Sequence, residues 1–506
     1  MGLTEWAKKI FTPSRKKQRG FFPASFTRLT ADWATSTGQI DTDLRGDLVA
    51  LRSRSRELCK SNDYAEKYLR LLTQNVVGSE GFILQVKSYE WKKRKNGSYV
   101  KVFDELANRI IEEQWWKWGN KRWCEVTGKL TFRQLCNVAI ESVARDGEVF
   151  FRKIPNSTVN PHGFTLQIIP ADYLDSTYNE ELKDGNYIRM GIEYNRNGKP
   201  VAYHITKTLP SKELFNVVIT GERERITADQ IIHLFYQEHP VQSRGSSWLT
   251  QSMWKIWQLG KFEEASVVNA RVSAAKMGFF KDSTGEGIED EFQEEAGQLI
   301  DSVEPGYMGY IGQKEFVPFD PKFPTDQYAG FTKSMLRAIA SGLGVSYNTL
   351  CNDLEGVNYS SIRAGLLDER EFYKDIQGWF RDVFLIPVFE EWLKMILLKP
   401  DINLPANKYD KFNEPTFVGR RWPWVDPLKD IQANKLAIEQ GFKTRQQIIS
   451  EQGGDFMDVV EALRYEQDIL SQYGITIGDP NENTNQPGTE QNPEALAEDG
   501  TTSGDQ

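Results

Sequence analysis

Between residues 40 and 75 the apolar positions Leu48, Leu51, Leu58, Tyr64, Tyr68, Leu71 and Leu72 recur at helical spacing, with Arg45, Arg52, Arg54 and Arg56 on the polar side of the stripe. This predicts a helix whose arginines face water. A further helix is expected from about Val102 to Trp118, and another from Leu130-Thr-Phe-Arg-Gln-Leu135 to near Arg145. From Glu148 to Phe235 the period changes to two. There Met190, Ile192 and Tyr194 match Val201, Tyr203 and Ile205 across Asn195-Arg-Asn-Gly198, so an antiparallel sheet domain is expected. After Arg244-Gly-Ser-Ser-Trp248 the pattern is helical to Met277, with Met253, Ile256, Trp257, Leu259, Val267, Val268 and Val272 spread over a broad apolar face. So wide a face predicts a subunit interface, with Trp257, Val268 and Val272 as its residues.

Gly278 to Asp326 carries Gly and Pro turns and little periodicity. Phe331, Met335, Ile339 and Leu343 then repeat every four residues, and Gly342 and Gly344 supply a helix stop. The stretch Leu354-Glu-Gly-Val-Asn-Tyr-Ser-Ser-Ile-Arg-Ala-Gly-Leu366 reads as a short polar loop between helices. Ile362, Leu366, Tyr373, Ile376, Phe380 and Val383 keep one face apolar through a helix expected to reach about Leu398, with a kink or break at Pro387. Asp426-Pro427 has the form of an N-cap and N1 pair, and helices are expected at about 427 to 440 and 455 to 473. Helical and strand-like stretches in separate blocks make the fold class α+β.

At 506 residues the chain is long enough for three or four domains, and no apolar run approaches a bilayer span. Cys59, Cys124, Cys136 and Cys351 are scattered, as free thiols in a reducing compartment would be. The net charge of −9 is unevenly placed: residues 1 to 19 carry six basic side chains against Glu5, and residues 479 to 506 carry seven acids and no Lys or Arg. The second of these stretches predicts a disordered tail, since Leu496 is its only sizeable apolar residue.

Several chemistries lack their residues. Gly128-Lys129 is followed by Leu130 where a P-loop needs a hydroxyl, which argues against a packaging ATPase. His162, His204, His233 and His239 form no H-E-x-x-H, and His204 and His233 lie in strand-like apolar runs where hydrogen-bonded core histidines are expected. Asp368-Glu-Arg-Glu371 is the one acidic run a metal-dependent nuclease would use. On a helix beside Arg370 and Lys374 it reads as a solvated face.

Leu343-Gly-Val-Ser-Tyr347 with Asn358-Tyr359-Ser360-Ser361 resembles the segment of lambda-type phage portal proteins that carries the loop projecting into the DNA channel. Arg52-Ser-Arg-Ser-Arg-Glu-Leu58, Asn75-Val-Val-Gly78, Asp146-Gly-Glu-Val-Phe150, Gly191-Ile-Glu-Tyr194, Pro200-Val-Ala-Tyr-His204, Ile231-Ile-His-Leu-Phe235 and Arg420-Arg-Trp-Pro-Trp-Val-Asp-Pro-Leu-Lys-Asp430 resemble the same family.

The resemblance implies a portal-type subunit. Its parts would be a basic arm (1–30), a mixed α/β wing (31–247), a first stem helix (248–279), a clip (280–326), a second stem helix (327–346), a channel loop (347–361), a wing helix and extended segment (362–425), crown helices (426–478) and the acidic tail (479–506). It implies DNA-channel residues Asp353, Glu355, Asn358, Tyr359, Ser360 and Ser361, with the two acids keeping the DNA contact loose, and neither catalytic residues, cofactor nor metal. The implied partners are other copies in a ring of twelve, double-stranded DNA, the terminase large subunit, a head-completion or connector protein, and the major capsid and scaffolding proteins, with no membrane. Such a protein sits in the virion at the portal vertex and assembles in the host cytoplasm. The alternatives are a nuclease-type packaging subunit and a capsid or scaffolding component without a channel.

Overall fold

The computed structural model describes residues 38–93, 97–155, 158, 160–210, 217–274, 278–282, 314–318, 325–355, 359–422, 427–452, 454 and 456–472. The basic arm, the acidic tail, most of the expected clip and Asn358 lie outside them. Helices and antiparallel sheets are divided between two units that meet in sequence at Arg420 and Arg421.

The single helix expected over 40 to 75 is two, α1 (Ile40–Ser61) and α2 (Asp63–Leu72). They are separated at Asn62, whose side chain accepts hydrogen bonds from the Tyr64 and Ala65 amides and so caps α2. A π turn, Thr73–Val77, ends the segment at Gly78, where φ is 75°. β1 (Ile83–Val86) follows. The helix expected from Val102 begins later: Val102 belongs to a ribbon of β2 (Tyr89–Lys93) and β3 (Tyr99–Phe103). Asp104 then caps α3 (Glu105–Asn120) by accepting from the Ala107 amide. Val100 and Val102, β-branched and two apart, carry the strand period that the longer helical pattern hid.

α4 (Phe132–Asp146) starts in a capping box of Thr131 and Gln134 and stops at Gly147. The sheet domain is two sheets rather than one. β4 (Glu148–Pro155) and β5 (Phe164–Ile169) form a three-stranded sheet completed on the β4 side by a later strand. The other runs in sequence order through β6 (Glu180–Glu181), β7 (Tyr187–Arg189), β8 (Ile192–Tyr194), β9 (Pro200–Pro210) and β10 (Val217–Thr227). The strand completing the first sheet is β11 (Ile231–Phe235). Ile192 pairs with Tyr203 as expected, but Met190, at φ 50°, belongs to the turn before β8.

α5 (Thr250–Ala274) and α6 (Thr325–Leu343) run antiparallel: Ser252 Oγ donates to the Ile339 carbonyl at one end, and Phe262 packs on Tyr328 and Phe331 towards the other. A Cβ on Gly342 would fall 2.3 Å from Ser252 Oγ, so glycine there permits the close approach. Between the two helices the described residues hold one strand pair, β12 (Gly278–Asp282) with β13 (Lys314–Pro318). α6 ends in a Schellman motif, with Gly344 at φ 73° and the Val345 amide on the Ala340 carbonyl. The short α7 (Tyr347–Cys351) follows, then α8 (Tyr359–Phe380). A π turn, Arg381–Leu385, joins α8 to α9 (Ile386–Leu397), so the helix continues to Leu397 and Pro387 sits in the first turn of α9, where its missing N–H costs little.

The remaining elements of this unit are α10 (Tyr409–Phe412) and β14 (Pro415–Val418), which pairs with β1. Trp115 and Trp118 on α3, Phe132 on α4, Phe389 and Trp392 on α9 and Phe417 on β14 pack with ring centroids about 5 to 6 Å apart. Much of the aromatic content is therefore core. In the second unit the described residues form α11 (Pro427–Glu439), α12 (Arg445–Glu451) and α13 (Phe456–Gln472), one short helix more than expected.

Candidate functional site

The loop after α7 is anchored at its root. Ser346 caps α7, and Asn352 closes it in the left-handed conformation at φ 53°. Asp353 comes next. Its Oδ2 accepts from Lys333 Nζ on α6 at 2.9 Å and from the Tyr347 hydroxyl at 2.7 Å, and its Oδ1 accepts from the Glu355 amide at 3.0 Å. These bonds, that from Tyr347 foremost, hold the Asp353 carboxyl well below the usual carboxylate range. Burial, reinforced by the bond to Asp353, pushes the Tyr347 phenol up to about 12. One of the two expected channel acids is therefore neutralised within its own subunit, while Glu355 is exposed. Tyr359, Ser360 and Ser361 already lie in the first turn of α8, so the non-helical part of the loop is shorter than expected. Their side chains, like Asn358, are outside the described residues.

On α5, Met253, Ile256 and Leu259 are buried, whereas Trp254 is 67% and Val268 51% exposed. Trp254, Trp257, Lys261, Glu264 and Val268 follow one another at three- and four-residue spacing along one stripe. The two tryptophans stack with centroids 5.4 Å apart, and Lys261 bonds Glu264 at 2.9 Å. Trp254, Trp257 and Val268 thus leave large apolar groups exposed along this stripe of the isolated subunit. Val272 belongs to the same helix, but its side chain is outside the described residues.

The acidic run at 368 to 371 is less solvated than expected. Glu369 is buried, accepting from the Tyr373 and Thr349 hydroxyls at 2.7 Å each, while Glu371 pairs with Lys374 at the surface. Among the described residues no group of three or more His, Cys, Asp or Glu is placed to hold a metal ion.

A buried ionic cluster is the feature that sequence reasoning missed. Glu148, at the start of β4 and fully buried, accepts from Arg244 Nε at 2.7 Å, Arg52 Nη2 at 3.0 Å, His233 Nε2 at 2.9 Å and the Gly245 amide at 3.2 Å. The Arg244 guanidinium, also fully buried, turns its other nitrogens to the carbonyls of Ala171, Leu174 and Met190. Arg52 donates to the Asp146 carbonyl, and Arg56 pairs with the Asp146 and Asp172 carboxylates at 2.8 Å. Arg52 is thus not on the solvated side of α1: it is 5% exposed, on the same helix as the fully buried Ser55. Burial opposes the charge on Glu148, but Arg244, His233 and Arg52 overcome it and hold the carboxyl well below its ordinary range. Burial lowers the His233 imidazole, so a neutral ring donates through Nε2. His204 likewise finds a carboxylate, Glu193 Oε2 at 3.2 Å, which Arg225 also grips at 2.7 Å.

Beside this cluster Gly147, at φ 90°, crosses Gly245 so closely that a Cβ on either would fall 2.5 or 2.1 Å from the other's carbonyl oxygen. Gly147→Ala should lower the melting temperature by several degrees, because backbone cannot move aside as a side chain can. A thermal melt checks this, and Gly46→Ala, within α1 and with open space around its Cβ position, is the control that should not lower the melting temperature.

A family model described as "Phage portal protein, lambda family" matches residues 26–377. Over 473 residues the chain is 34% identical to a probable portal protein of Halomonas phage phiHAP-1, covering 92% of this chain and 89% of the relative. It is 21% identical to portal protein B of Escherichia phage lambda, over 84% of this chain and 85% of that one. A solved chain from the virion of a native gene transfer agent particle aligns over 81% of this chain and 93% of its own at 13% identity, with a TM-score of 0.41. The family match includes the loop segment and the residues of the ionic cluster. It ends before Arg420–Asp430.

Proposed function

The chain belongs to the lambda family of phage portal proteins, and from that premise we propose that it assembles into a ring at one capsid vertex and forms the conduit for double-stranded DNA. Its role is structural rather than enzymatic. In this reading the sheets and α1 to α4 belong to the wing, α5 and α6 are the stem, the segment between them is the clip, and α11 to α13 belong to the crown. Terminase and then a head-completion protein would dock at the clip, and capsid and scaffolding proteins at the wing. The ring of twelve, the virion location and assembly in the host cytoplasm are parts of the same proposal.

The observation that carries the reading is the anchored loop. Asp353, bonded to Lys333 on α6 and Tyr347 on α7, fixes the direction in which the chain leaves α7, so Leu354 and Glu355 can be presented to a ligand at little further ordering cost. With Asp353 paired, Glu355 is left as the acid that keeps a phosphate backbone from binding tightly. Replacing Asn358 and Tyr359 together by alanine should leave rings intact and reduce the yield of heads filled with full-length DNA, measured by electron microscopy and by gel analysis of packaged DNA. Filled heads at the normal yield would remove the loop from the mechanism, and rings that fall apart would make it a structural turn.

A further inference from the structure

The β2–β3 ribbon has a composition opposed to that of the chain around it. In a protein of net charge −9 it carries Lys92, Lys93 and Lys101 on its strands, and the intervening sequence adds Arg94 and Lys95. Its single acid, Glu90, is taken up by Lys411 at 3.0 Å. Lys411 also grips Asp104, whose amide bonds the Ser88 carbonyl at 3.0 Å, so these contacts pin the base of the ribbon. Lys92 and Lys93 have no ion-pair partner among the described residues, and Lys101 lies over the Tyr89 ring at 3.9 Å.

The register sets what each face displays. Tyr89 opposes Phe103, Trp91 opposes Lys101 and Lys93 opposes Tyr99, so alternation puts these six side chains on one face. That face is open to water: Trp91 is 68% exposed, Tyr99 62% and Phe103 38%. Lys92 projects from the other face. Isolated two-stranded ribbons are marginally stable, and leaving large rings in water adds nothing to this one. Rings interleaved with unpaired lysines are the surface that nucleic acid needs, the cations meeting phosphates and the flat apolar rings packing on sugars and base methyls. Cations on both faces suit a polyanion that surrounds the ribbon better than a flat acidic patch on a protein.

We propose that the β2–β3 ribbon is a second, sequence-independent contact for duplex DNA, separate from the channel loop. The choice of DNA rests on the conduit reading. The ribbon's ability to bind a polyanion does not.

The test uses full-length assembled protein and a fluorescein-labelled duplex of random sequence, with anisotropy measured across a salt series. Lys92→Gln, Lys93→Gln and Lys101→Gln together should weaken binding about tenfold at 0.1 M salt and flatten the slope of log K against log salt by about 3, near 0.9 for each phosphate no longer neutralised. Trp91→Ser with Tyr99→Ser should weaken binding and leave the slope unchanged. Wild-type affinity and slope in the lysine variant would overturn the proposal. So would rings that dissociate, which would make the ribbon a subunit contact, or polyglutamate competing as well as DNA per charge, which would make the ligand an acidic protein. None of these results bears on the conduit reading, which is judged by head filling.

Discussion

Replacing Glu148 by alanine should cost the subunit about 3 to 5 kcal/mol, the penalty for removing one member of a buried ion pair. Arg244 would be left in a fully buried site, holding carbonyl oxygens but no counter-charge, and Arg52 would lose its buried carboxylate partner. In a unit of this size, residues 1–420, the melting temperature should fall by about 3 to 6 degrees. Removing Arg244 as well should restore part of the loss, because the uncompensated cation goes with it. Equal melting temperatures for wild type and Glu148→Ala would show that the cluster contributes nothing to stability.

The same cluster fixes the response to acid. Glu148 has a folded pKa below its unfolded value near 4.3, so its contribution is fully present above that value and is lost as pH falls. His233, buried and neutral, is also depressed, and protonation of the unfolded state below about pH 6.5 adds to the loss. Stability should therefore decline on acidification from about pH 6.5 and steepen below about pH 4.3. The His233→Phe variant should lose part of the upper decline, the rest coming from His162, whose imidazole burial lowers to about 4.

Replacing Trp257 and Val268 by aspartate should abolish ring assembly and leave the folded subunit nearly unchanged. Both side chains are at least 42% exposed, so an isolated subunit loses little on their substitution. In a ring each would be buried against the next copy, where an unpaired carboxylate costs several kcal/mol and the loss of an aromatic anchor about 2 kcal/mol. The penalty recurs at every subunit contact. Light scattering should report monomers with a wild-type melting profile. Rings of normal size would mean that this stripe of α5 faces solvent or another partner.

The elements with a long, clean period were legible in the sequence: α4, α5, α6 and the reach of α8 and α9 to Leu397 lie close to their expected positions. The ribbon was missed because Val102 also fits a helical stripe with Leu106 and Ile110 leading into α3. Excess apolar content on α5 went with exposed Trp257 and Val268 in the subunit. Arg52 was not legible, because a helical wheel assigns arginine to the polar side and cannot see a carboxylate arriving from a strand 96 residues away. A hint was present, though. Arg52, Glu148 and His233 all stand in strings that resemble the family. The pairing of Asp353 with Lys333 was not legible either, because Lys333 lies a helix away in the sequence.

The π turn between α8 and α9 acts on phase. A straight α-helix advances about 100° per residue, so apolar residues spaced four apart drift steadily around its axis. Ile376 and Phe380 before the turn, Phe384 within it and Val388, Trp392 and Ile396 after it follow such a spacing, and all are buried. The one extra residue accommodated over Arg381–Leu385 turns the rod back by about that angle and returns the second half to the aromatic core. In this subunit a single amino acid of surplus length, rather than any particular side chain, keeps the two halves of a rod of nearly forty residues aimed at one interior.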